Sequence, residues 1–279
     1  MCYIHKKYVM ALLNPDFNQN KPLRATHQRL LDALKEICDK HGIEYWIDFG
    51  TLLGAELYGD FIPWDDDIDV SMPKADYKKF LEVAEKELPK DIFLQTPKTD
   101  PGYKQNMAKL RDCYSTLLEH HEDGSEPYHH GIYIDVFPMV YYPRLPKLVR
   151  KVLMRTTVRS RHKAYVKKEY VLINYPIYFL CKTAWFLLKP FTSDVFGQIP
   201  EDNGYMYVMP RAYLYPLKQI TFAGKSYPAP NKIPEYLTVL YRKYSANPPM
   251  ESRFSHAKEI LVDVPCNHPR ALHRNEQRT

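Results

Sequence analysis

The acidic segment WDDDID at residues 64–69 has the residue types and spacing of a cation site. Side chains of a β-strand alternate between its two faces, so a strand through this segment places Asp67 and Asp69 on one face, roughly 6.7 Å apart along the strand. Asp66 then lies on the other face, with the apolar side chains of Ile68 and Val70. Two carboxylates repel each other by about 4 kcal/mol at 4 Å and an effective dielectric constant near 20. A positive charge between Asp67 and Asp69 is therefore expected.

A third carboxylate comes from GIYIDVFP at residues 131–138, where Asp135 interrupts an apolar, β-branched strand. A lone aspartate there is costly to bury without a partner, and a neighbouring strand would lie about 4.8 Å from the one that carries Asp67 and Asp69. Ligands that are all oxygens favour Mg2+ or Mn2+ over zinc. We therefore predict that Asp67, Asp69 and Asp135 bind Mg2+ or Mn2+. The alternative is a solvated acidic turn, with Asp135 acting as a cap.

The segment GTLLG at residues 50–54 follows a predicted strand and begins a predicted helix. A glycine there lets the backbone approach a ligand closely, and exposed N–H groups with the Thr51 hydroxyl could hold a phosphate. The same pattern is also typical of an ordinary tight turn. The acidic segment that follows favours the phosphate-binding interpretation. A glycine next to a serine or threonine, followed by a DxD motif, is the general signature of the nucleotidyltransferase superfamily.

One long run strongly resembles the LicD family, which includes bacterial phosphocholine transferases and the fukutin-related ribitol-phosphate transferases. The run is IDFGTLLGAELYGDFIPWDDDIDVSMPKADYKKF, residues 47–80. The segments KLRDCYSTLLE at 109–119 and IDVFP at 134–138 resemble two further blocks of the family. Residues 236–249 match more faintly.

This resemblance implies an α/β (α+β) fold of the nucleotidyltransferase type, with a mixed β-sheet flanked by helices and an additional helical region. It also implies a phosphotransferase that requires Mg2+ or Mn2+. Such an enzyme moves a phospho-substituent, for example phosphocholine or an alditol phosphate, from a CDP-linked donor to a hydroxyl of a cell-surface or lipid-linked glycan and releases CMP. Lipopolysaccharide, capsule and teichoic acid are acceptors of this kind.

The resemblance also assigns roles to residues by position. The metal ligands are expected to be Asp67, Asp69 and Asp135, and Asp135 or Asp66 is expected to accept the proton of the acceptor hydroxyl. Donor binding is expected from Gly50, Thr51, Lys109 and Arg111, although alternating basic residues on a strand are equally typical of a solvated face. Leu57 and Asp60 depart from the family pattern, which commonly has an arginine and a glycine at these positions. A donor other than the usual one is therefore an alternative.

Patterns of apolar residues and of glycine and proline predict the elements that carry these residues. Residues 1–143 are predicted to form the catalytic core, 144–205 a basic and apolar helical region, and 206–279 a segment that packs on the core and ends in a frayed tail. The expected helices are 24–41, 73–89, a long helix over 144–168, a second through Trp185, and 234–244. The expected strands are 43–49, 68–71, 92–95, 107–111, 116–119, 131–137 and a short one near Ile220.

Charge and hydropathy single out residues 144–190. The chain has a net charge of +6, and lysines and arginines concentrate in 144–168, directly before an apolar stretch at 171–188. Lys182 interrupts that stretch, which favours a buried or membrane-surface helix over a transmembrane one. The region therefore predicts contact with an anionic membrane surface, and a solvated basic face is the alternative. No nucleic-acid partner is expected, because no basic groove with interleaved aromatic residues lies near the aspartates.

The five cysteines are scattered, and none forms a CxxC pair. This pattern argues against a disulfide framework and against a structural zinc site. No signal-peptide pattern is evident, so a cytoplasmic location is expected, with the inner face of the membrane as a peripheral variant. Two other functions remain open. One is a nucleotidyltransferase that acts on a small molecule or an RNA end and releases pyrophosphate, and the other is a non-enzymatic calcium-dependent glycan-binding protein.

Overall fold

The computed structural model describes residues 21–272, apart from residues 167, 169, 205, 247, 248, 250–252 and 254. The first half of the chain alternates helices and short strands. In order, these are α1 (Lys21–His41), β1 (Trp46–Ile47), α2 (Phe49–Tyr58), β2 (Asp69–Pro73), α3 (Lys74–Glu87), β3 (Ile92–Gln95), β4 (Ala108–Asp112), β5 (Thr116–Glu119) and β6 (Tyr133–Pro143).

Two long helices follow, and then short elements. These are α4 (Lys147–Arg161), α5 (Val171–Leu188), β7 (Thr192–Gln198), β8 (Met209–Pro210), α6 (Arg211–Leu214), β9 (Lys218–Phe222), β10 (Lys225–Ala229), α7 (Ile233–Tyr241) and β11 (Ala257–Leu261). A π-helical turn, His162–Val166, extends α4, and a 3-10 turn, Lys189–Phe191, follows α5.

The described residues form two compact units. The first unit takes its residues from Met1–Phe137, Gln219–Pro228 and Ser245–Thr279, and the second from Pro138–Lys218 and Ala229–Tyr244. The division of the sequence at 143 and 205 stays a prediction.

The sheet of the first unit has the order β1-β2-β6-β4-β3. β1 pairs antiparallel with β2, and β4 pairs antiparallel with both β6 and β3. The Asp135 N–H donates to the carbonyl of Ile68 at 2.7 Å, so the strand that carries Asp135 lies beside the acidic segment, as predicted. The α+β class, a sheet flanked by helices, is confirmed.

Helix α1 confirms the helix predicted over residues 24–41, and its buried residues form one stripe. Its buried residues recur every three or four positions, the spacing that keeps side chains on one helical face, and they include Leu23, Leu30, Leu34, Ile37 and Cys38. Burial of this stripe stabilises the unit by roughly 25 cal/mol per Å² of apolar surface removed from water.

A second, two-stranded sheet joins distant parts of the first unit. β5 pairs antiparallel with β11, with Leu117 opposite Ile260. Both residues belong to a buried apolar cluster that also contains Leu23, Ile132 and Ala257. No strand was predicted at residues 257–261. β11 forms there because pairing with β5 satisfies its backbone groups and buries Ala257 and Ile260.

Two other element boundaries differ from expectation. The predicted strand 43–49 ends at Ile47, because the Asp48 carboxylate accepts the Phe49 N–H and α2 begins there. The predicted helix 144–168 was too long: α4 ends at Arg161 and continues as the π-helical turn. Within the second unit, the end of β6 pairs antiparallel with β7, and β7 pairs with β8.

One helical segment of the described chain, Val171–Phe191, is long and apolar enough to cross a membrane by length and composition. This is weak evidence by itself, since buried core helices pass the same test. Most of this segment is exposed. The cysteines of the described part, Cys38, Cys113, Cys181 and Cys266, are free and buried.

Candidate active site

The turn between β1 and α2 is held by Asp48, which sequence reasoning did not single out. Its fully buried carboxylate accepts hydrogen bonds from the Ser71 hydroxyl at 2.6 Å, the Trp46 indole N–H at 3.2 Å and the Phe49 N–H at 2.8 Å. Phe49 has a positive φ of 41°, a conformation that costs a non-glycine residue about 1–3 kcal/mol. The three bonds to Asp48 therefore stabilise a strained turn that aims the next residues at the acidic segment.

Gly50 and Thr51, the predicted donor-phosphate residues, both contact Asp69. The Gly50 N–H donates to Asp69 Oδ2 at 3.0 Å, and the Thr51 hydroxyl accepts the Asp69 N–H at 2.8 Å. A Cβ at position 50 would lie 2.6 Å from Asp65 Oδ2 and 3.4 Å from Asp69 Oδ2. Glycine is therefore required for close approach to two carboxylates, and Asp65 is a further acidic residue of the site.

The carboxylates of Asp67, Asp69 and Asp135 come together. One oxygen of each lies within 4.8 Å of the other two. Asp69 and Asp135 lie on β2 and β6, whereas Asp67 precedes β2 in an irregular segment. The two carboxylates of Asp67 and Asp69 lie close together, as strand alternation predicted, although Asp67 itself is outside the strand. Ile68 and Val70 are fully buried, as expected.

Burial and mutual repulsion dominate the electrostatics of this cluster. Burial, and then the neighbouring carboxylates, raise the pKa of Asp67 and of Asp69 well above the usual range. Burial also raises the pKa of Asp65, to about 6, with Asp66 as the next cause. Burial raises the pKa of Asp135 too, although Lys109 opposes the shift. The cluster thus holds more negative charge than its protein surroundings compensate.

Lys109 is the cation closest to Asp135, with Nζ 2.9 Å from Oδ1. Its Nζ also lies 4.0 Å from Glu119 Oε1 and 3.3 Å from the centre of the Tyr133 ring. The Tyr133 hydroxyl donates to Glu119 Oε1 at 3.1 Å. Lys109 is buried, so it is not the solvated face that the sequence left open, and its charge is directed at the acidic cluster.

Arg111, the other predicted phosphate contact, bonds to the protein itself. Its guanidinium donates to Gln95 Oε1 at 2.7 Å and to the Gly131 carbonyl at 2.8 Å, and it lies over the Tyr133 ring. These contacts fix the strands around Asp135. A role for Arg111 in donor binding stays a prediction.

Asp66 is not part of the group formed by Asp67, Asp69 and Asp135, and it bonds to the start of β11. It accepts the backbone N–H groups of His256 and Ala257, and His256 Nδ1 lies 3.5 Å from both Asp66 Oδ1 and Asp67 Oδ2. Burial works to raise the pKa of Asp66, but the hydrogen bonds from His256 outweigh burial and lower it. The bond to Asp66 raises the pKa of His256 to about 9. Sequence reasoning missed His256 because it lies in a segment for which no element was predicted.

The residues present fit a bound divalent cation. Oxygens that ligate one Mg2+ at 2.0–2.1 Å lie at most about 4.2 Å apart, so the oxygens of Asp67, Asp69 and Asp135 need only small side-chain movements. Their excess negative charge favours a cation of charge two. Asp66, Asp67 and His256 form a second group with the same spacing.

The fold and the site together define a nucleotidyltransferase-type domain, with a Gly-Thr turn packed against aspartates on adjacent strands. The chain belongs to the LicD/FKTN/FKRP nucleotidyltransferase-domain family, which matches residues 42–186. The lipopolysaccharide cholinephosphotransferase LicD of Haemophilus influenzae is 28% identical over 248 residues, which cover 81% of this chain and 91% of that protein. The ribitol 5-phosphate transferase FKRP of Homo sapiens is 38% identical over 52 residues, 19% of this chain and 10% of that protein.

These similarities show that the chain is an enzyme, a phosphotransferase of the LicD type. Of the two departures from the family pattern, Asp60 follows the left-handed Gly59, and its side chain accepts the Phe61 N–H at 2.8 Å. Asp60 therefore has a local structural role at the end of α2.

Proposed function

We propose that this enzyme transfers a substituted phosphate group, such as phosphocholine or an alditol phosphate, from a CDP-linked donor to a hydroxyl of a glycan and releases CMP. The convergence of Asp67, Asp69 and Asp135 carries this proposal. Similarity to a lipopolysaccharide cholinephosphotransferase and to a ribitol 5-phosphate transferase supports the donor class and a glycan or lipid-linked glycan acceptor.

Asp67, Asp69 and Asp135 would hold Mg2+ or Mn2+. When bound, such an ion neutralises charge on phosphoryl oxygens during transfer. The Gly50 N–H orients the Asp69 carboxylate, and the Thr51 hydroxyl holds the Asp69 backbone by accepting its N–H. The Phe49 and Gly50 N–H groups of this turn already donate to Asp48 and Asp69, so the turn would support donor binding by holding Asp69 in place.

Asp135 and Asp66 were the two candidate acceptors for the proton of the attacking hydroxyl. Asp66 already accepts two backbone N–H groups, and its pKa is lowered, which makes it a weak base. Asp135 has a raised pKa and carries a charge partner, Lys109, that can stabilise its ionised form. The contacts therefore favour Asp135 as proton acceptor, with Asp66 positioning His256.

Nucleotide release by the purified protein tests the proposal. The donors are CDP-choline, CDP-ribitol, CDP-glycerol and nucleoside triphosphates, offered with Mg2+ or Mn2+ and a glycan extract. We expect CMP from one CDP-linked donor, dependent on the extract and abolished by a chelator. Pyrophosphate from a triphosphate would replace the proposal with nucleotidyl transfer. Glycan binding with Ca2+ and no release from any donor would replace it with a binding protein.

A further inference from the structure

The α4–α5 hairpin of the second unit has little of its surface buried. Trp185 Nε1 donates to Thr157 Oγ1 at 3.0 Å, and the rings of Tyr165 and Tyr178 lie 5.6 Å apart between centroids. The later residue of α5, Trp185, thus meets Thr157 in α4, and the earlier one, Tyr178, meets Tyr165 in the turn that follows α4. The two helices therefore run antiparallel. Of the residues of α5, Tyr178 and Cys181 are buried, and their spacing puts them on the same helical face as Trp185.

The remaining faces of α5 are apolar and exposed. Leu172 is 91% exposed and Phe186 is 74% exposed, and Ile173, Phe179, Leu180 and Leu187 are exposed as well. Across the described chain, every large apolar side chain that is exposed lies within residues 141–191. A contiguous apolar patch of this kind marks a binding surface for lipid or protein.

Three polar side chains of α5 have partners within the second unit. The Asn174 side-chain amide donates to the Tyr170 carbonyl, and the Thr183 hydroxyl donates to the Phe179 carbonyl, both at 3.0 Å. Lys182 Nζ lies 3.9 Å from Glu201 Oε1. Side chains that bond back to the helix backbone satisfy part of their hydrogen-bonding capacity, which lowers the cost of an apolar environment.

Charge identifies the occupant of this surface. Residues 144–191 contain twelve lysines and arginines and one glutamate, a net charge of +11, whereas the whole chain carries +6. The rest of the chain therefore carries −5. A second copy of the same surface would bring two strongly positive segments together, so like charges oppose self-association. An anionic bilayer satisfies both the apolar side chains and the positive charge.

We propose that the α4–α5 hairpin lies flat in the surface of an anionic lipid bilayer. The apolar faces of α5 enter the acyl region, and basic residues of α4, among them Arg155 and Arg159, meet the lipid phosphates. α5 would extend about 27 Å, close to the thickness of the hydrocarbon core, about 30 Å. A transmembrane orientation is nevertheless opposed, because α4 packs along α5 and would carry its arginines into that core. This inference concerns the second unit alone and does not rest on the proposed activity.

Co-sedimentation of the full chain with vesicles tests it. The vesicles are phosphatidylcholine alone, or phosphatidylcholine with phosphatidylglycerol in about a three-to-one ratio. We expect binding to the anionic vesicles that weakens as salt rises from about 0.1 M to 0.5 M. Arg155→Glu with Arg159→Glu should weaken binding by on the order of 30-fold, about 2 kcal/mol, because at least two favourable charges are lost. Lys74→Glu with Lys78→Glu, on exposed positions of α3, is the charge-matched control and should bind as the wild type does.

The apolar contribution needs a second variant. Leu172→Ser with Phe179→Ser changes exposed side chains, so folding should be retained while binding falls at least tenfold. Absence of wild-type binding to anionic vesicles would overturn the inference. So would a wild-type oligomer in solution that this variant disperses, because the apolar surface would then be a protein interface.

The orientation can be tested with brominated lipids, which quench tryptophan fluorescence at known depths. The difference between the wild type and Trp185→Phe isolates the signal of α5 from that of the other two tryptophans, Trp46 and Trp64. Quenching that is strongest for shallow bromine positions supports a flat hairpin. Quenching that is strongest at the bilayer centre would overturn that orientation in favour of a transmembrane helix.

Discussion

Lys109 Nζ lies 2.9 Å from Asp135 Oδ1, and both side chains are buried. The pair joins β4 and β6 at directly opposed positions of their register. Among the described residues, Lys109 is the only lysine within ion-pair distance of Asp135, and it lies beside a cluster of carboxylates. We therefore expect Lys109 to stabilise the cluster when no cation is bound. We also expect the stabilisation gained by binding a cation to depend on Lys109.

Replacing Lys109 by methionine tests this dependence. Removal of one partner from a buried ion pair costs about 3–5 kcal/mol, because the other charge is left uncompensated. We expect the free energy of unfolding, measured by urea denaturation in chelator, to fall by roughly this amount. Adding Mg2+ should stabilise the variant more than the wild type, since the cation replaces the missing positive charge. Lys98→Met, which breaks an exposed pair with Glu85, is the control and should change little. Equal effects of the two substitutions would contradict the argument.

Asp67→Asn and Asp69→Asn should separate activity from stability. Each change removes a ligand oxygen charge, so CMP release should fall by on the order of 100-fold or more. Each also relieves repulsion within a buried acidic cluster, so unfolding without cation should need as much urea as for the wild type, or more. Asp39→Asn, on an exposed aspartate of α1 paired with Lys35, should alter neither property. Near-normal release by both site variants would refute the assignment of the ligands.

Alanine at Gly50 and at Gly54 should have different consequences. At position 50 the new methyl group meets Asp65 Oδ2 at 2.6 Å, so it displaces a carboxylate of the site. At position 54 it meets the Asp60 carbonyl at 2.6 Å and the Ile62 amide at 3.0 Å, so it displaces backbone. We expect Gly50→Ala to lose activity with little loss of stability, and Gly54→Ala to lose about 1–3 kcal/mol of stability. Gly204→Ala, where nothing lies within 4 Å, is the control. The reverse order of effects, measured by CMP release and urea unfolding, would show that Gly50 is a purely structural glycine.

Two buried histidines should make the protein sensitive to mild acid. Burial lowers the pKa of His27 to about 3 and that of His129 to about 2, and His129 Nδ1 accepts the Gly131 N–H, as a neutral ring can. Below the unfolded value of about 6.5, the unfolded state binds a proton that the folded state does not. Stability is therefore present above pH 6.5 and falls as the pH drops towards 3, by about 1.4 kcal/mol per pH unit for each histidine.

Comparison of variants isolates one histidine from the other titrating groups. His27→Leu should lower the dependence of the unfolding free energy on pH, between about pH 6.5 and 5, by about 1.4 kcal/mol per unit. His121→Leu alters a side chain that is 70% exposed and should leave the dependence unchanged. An unchanged slope in His27→Leu would show that His27 is protonated in the folded protein or titrates at its ordinary pKa.

Sequence alone was sufficient to predict those elements and site residues that depend on local patterns or on a long block shared with a family. The stripe of α1 follows from helical spacing, and Ile68 and Val70 are buried because apolar residues alternate with acidic ones. Asp135 could be placed beside Asp67 and Asp69 because an aspartate in an apolar strand needs a partner. These residues came together in the structure, and their role as metal ligands stays a prediction.

Other parts of the site depend on contacts between distant segments. Asp66 meets Ala257 across 191 positions, and β5 finds its partner in β11, which no periodic pattern predicted. No local sequence pattern therefore predicted that His256 lies beside Asp66 and Asp67. In the sequence, Lys109 and Arg111 were equivalent candidates for donor binding, because both are basic and lie two positions apart on one strand. In the structure, the Arg111 guanidinium bonds to Gln95, whereas the Lys109 ammonium faces Asp135.

The sequence by itself thus determined which chemical groups are available to this protein, because residue types and short spacings carry that information. These groups are an acidic segment, a Gly-Thr turn, an aspartate in an apolar strand, and a basic segment followed by an apolar one. Only the tertiary structure decided which groups face one another. The direction of a buried side chain depends on strand pairing and packing over the whole unit, and the pKa of each carboxylate depends on the charges that the fold brings within a few ångströms of it.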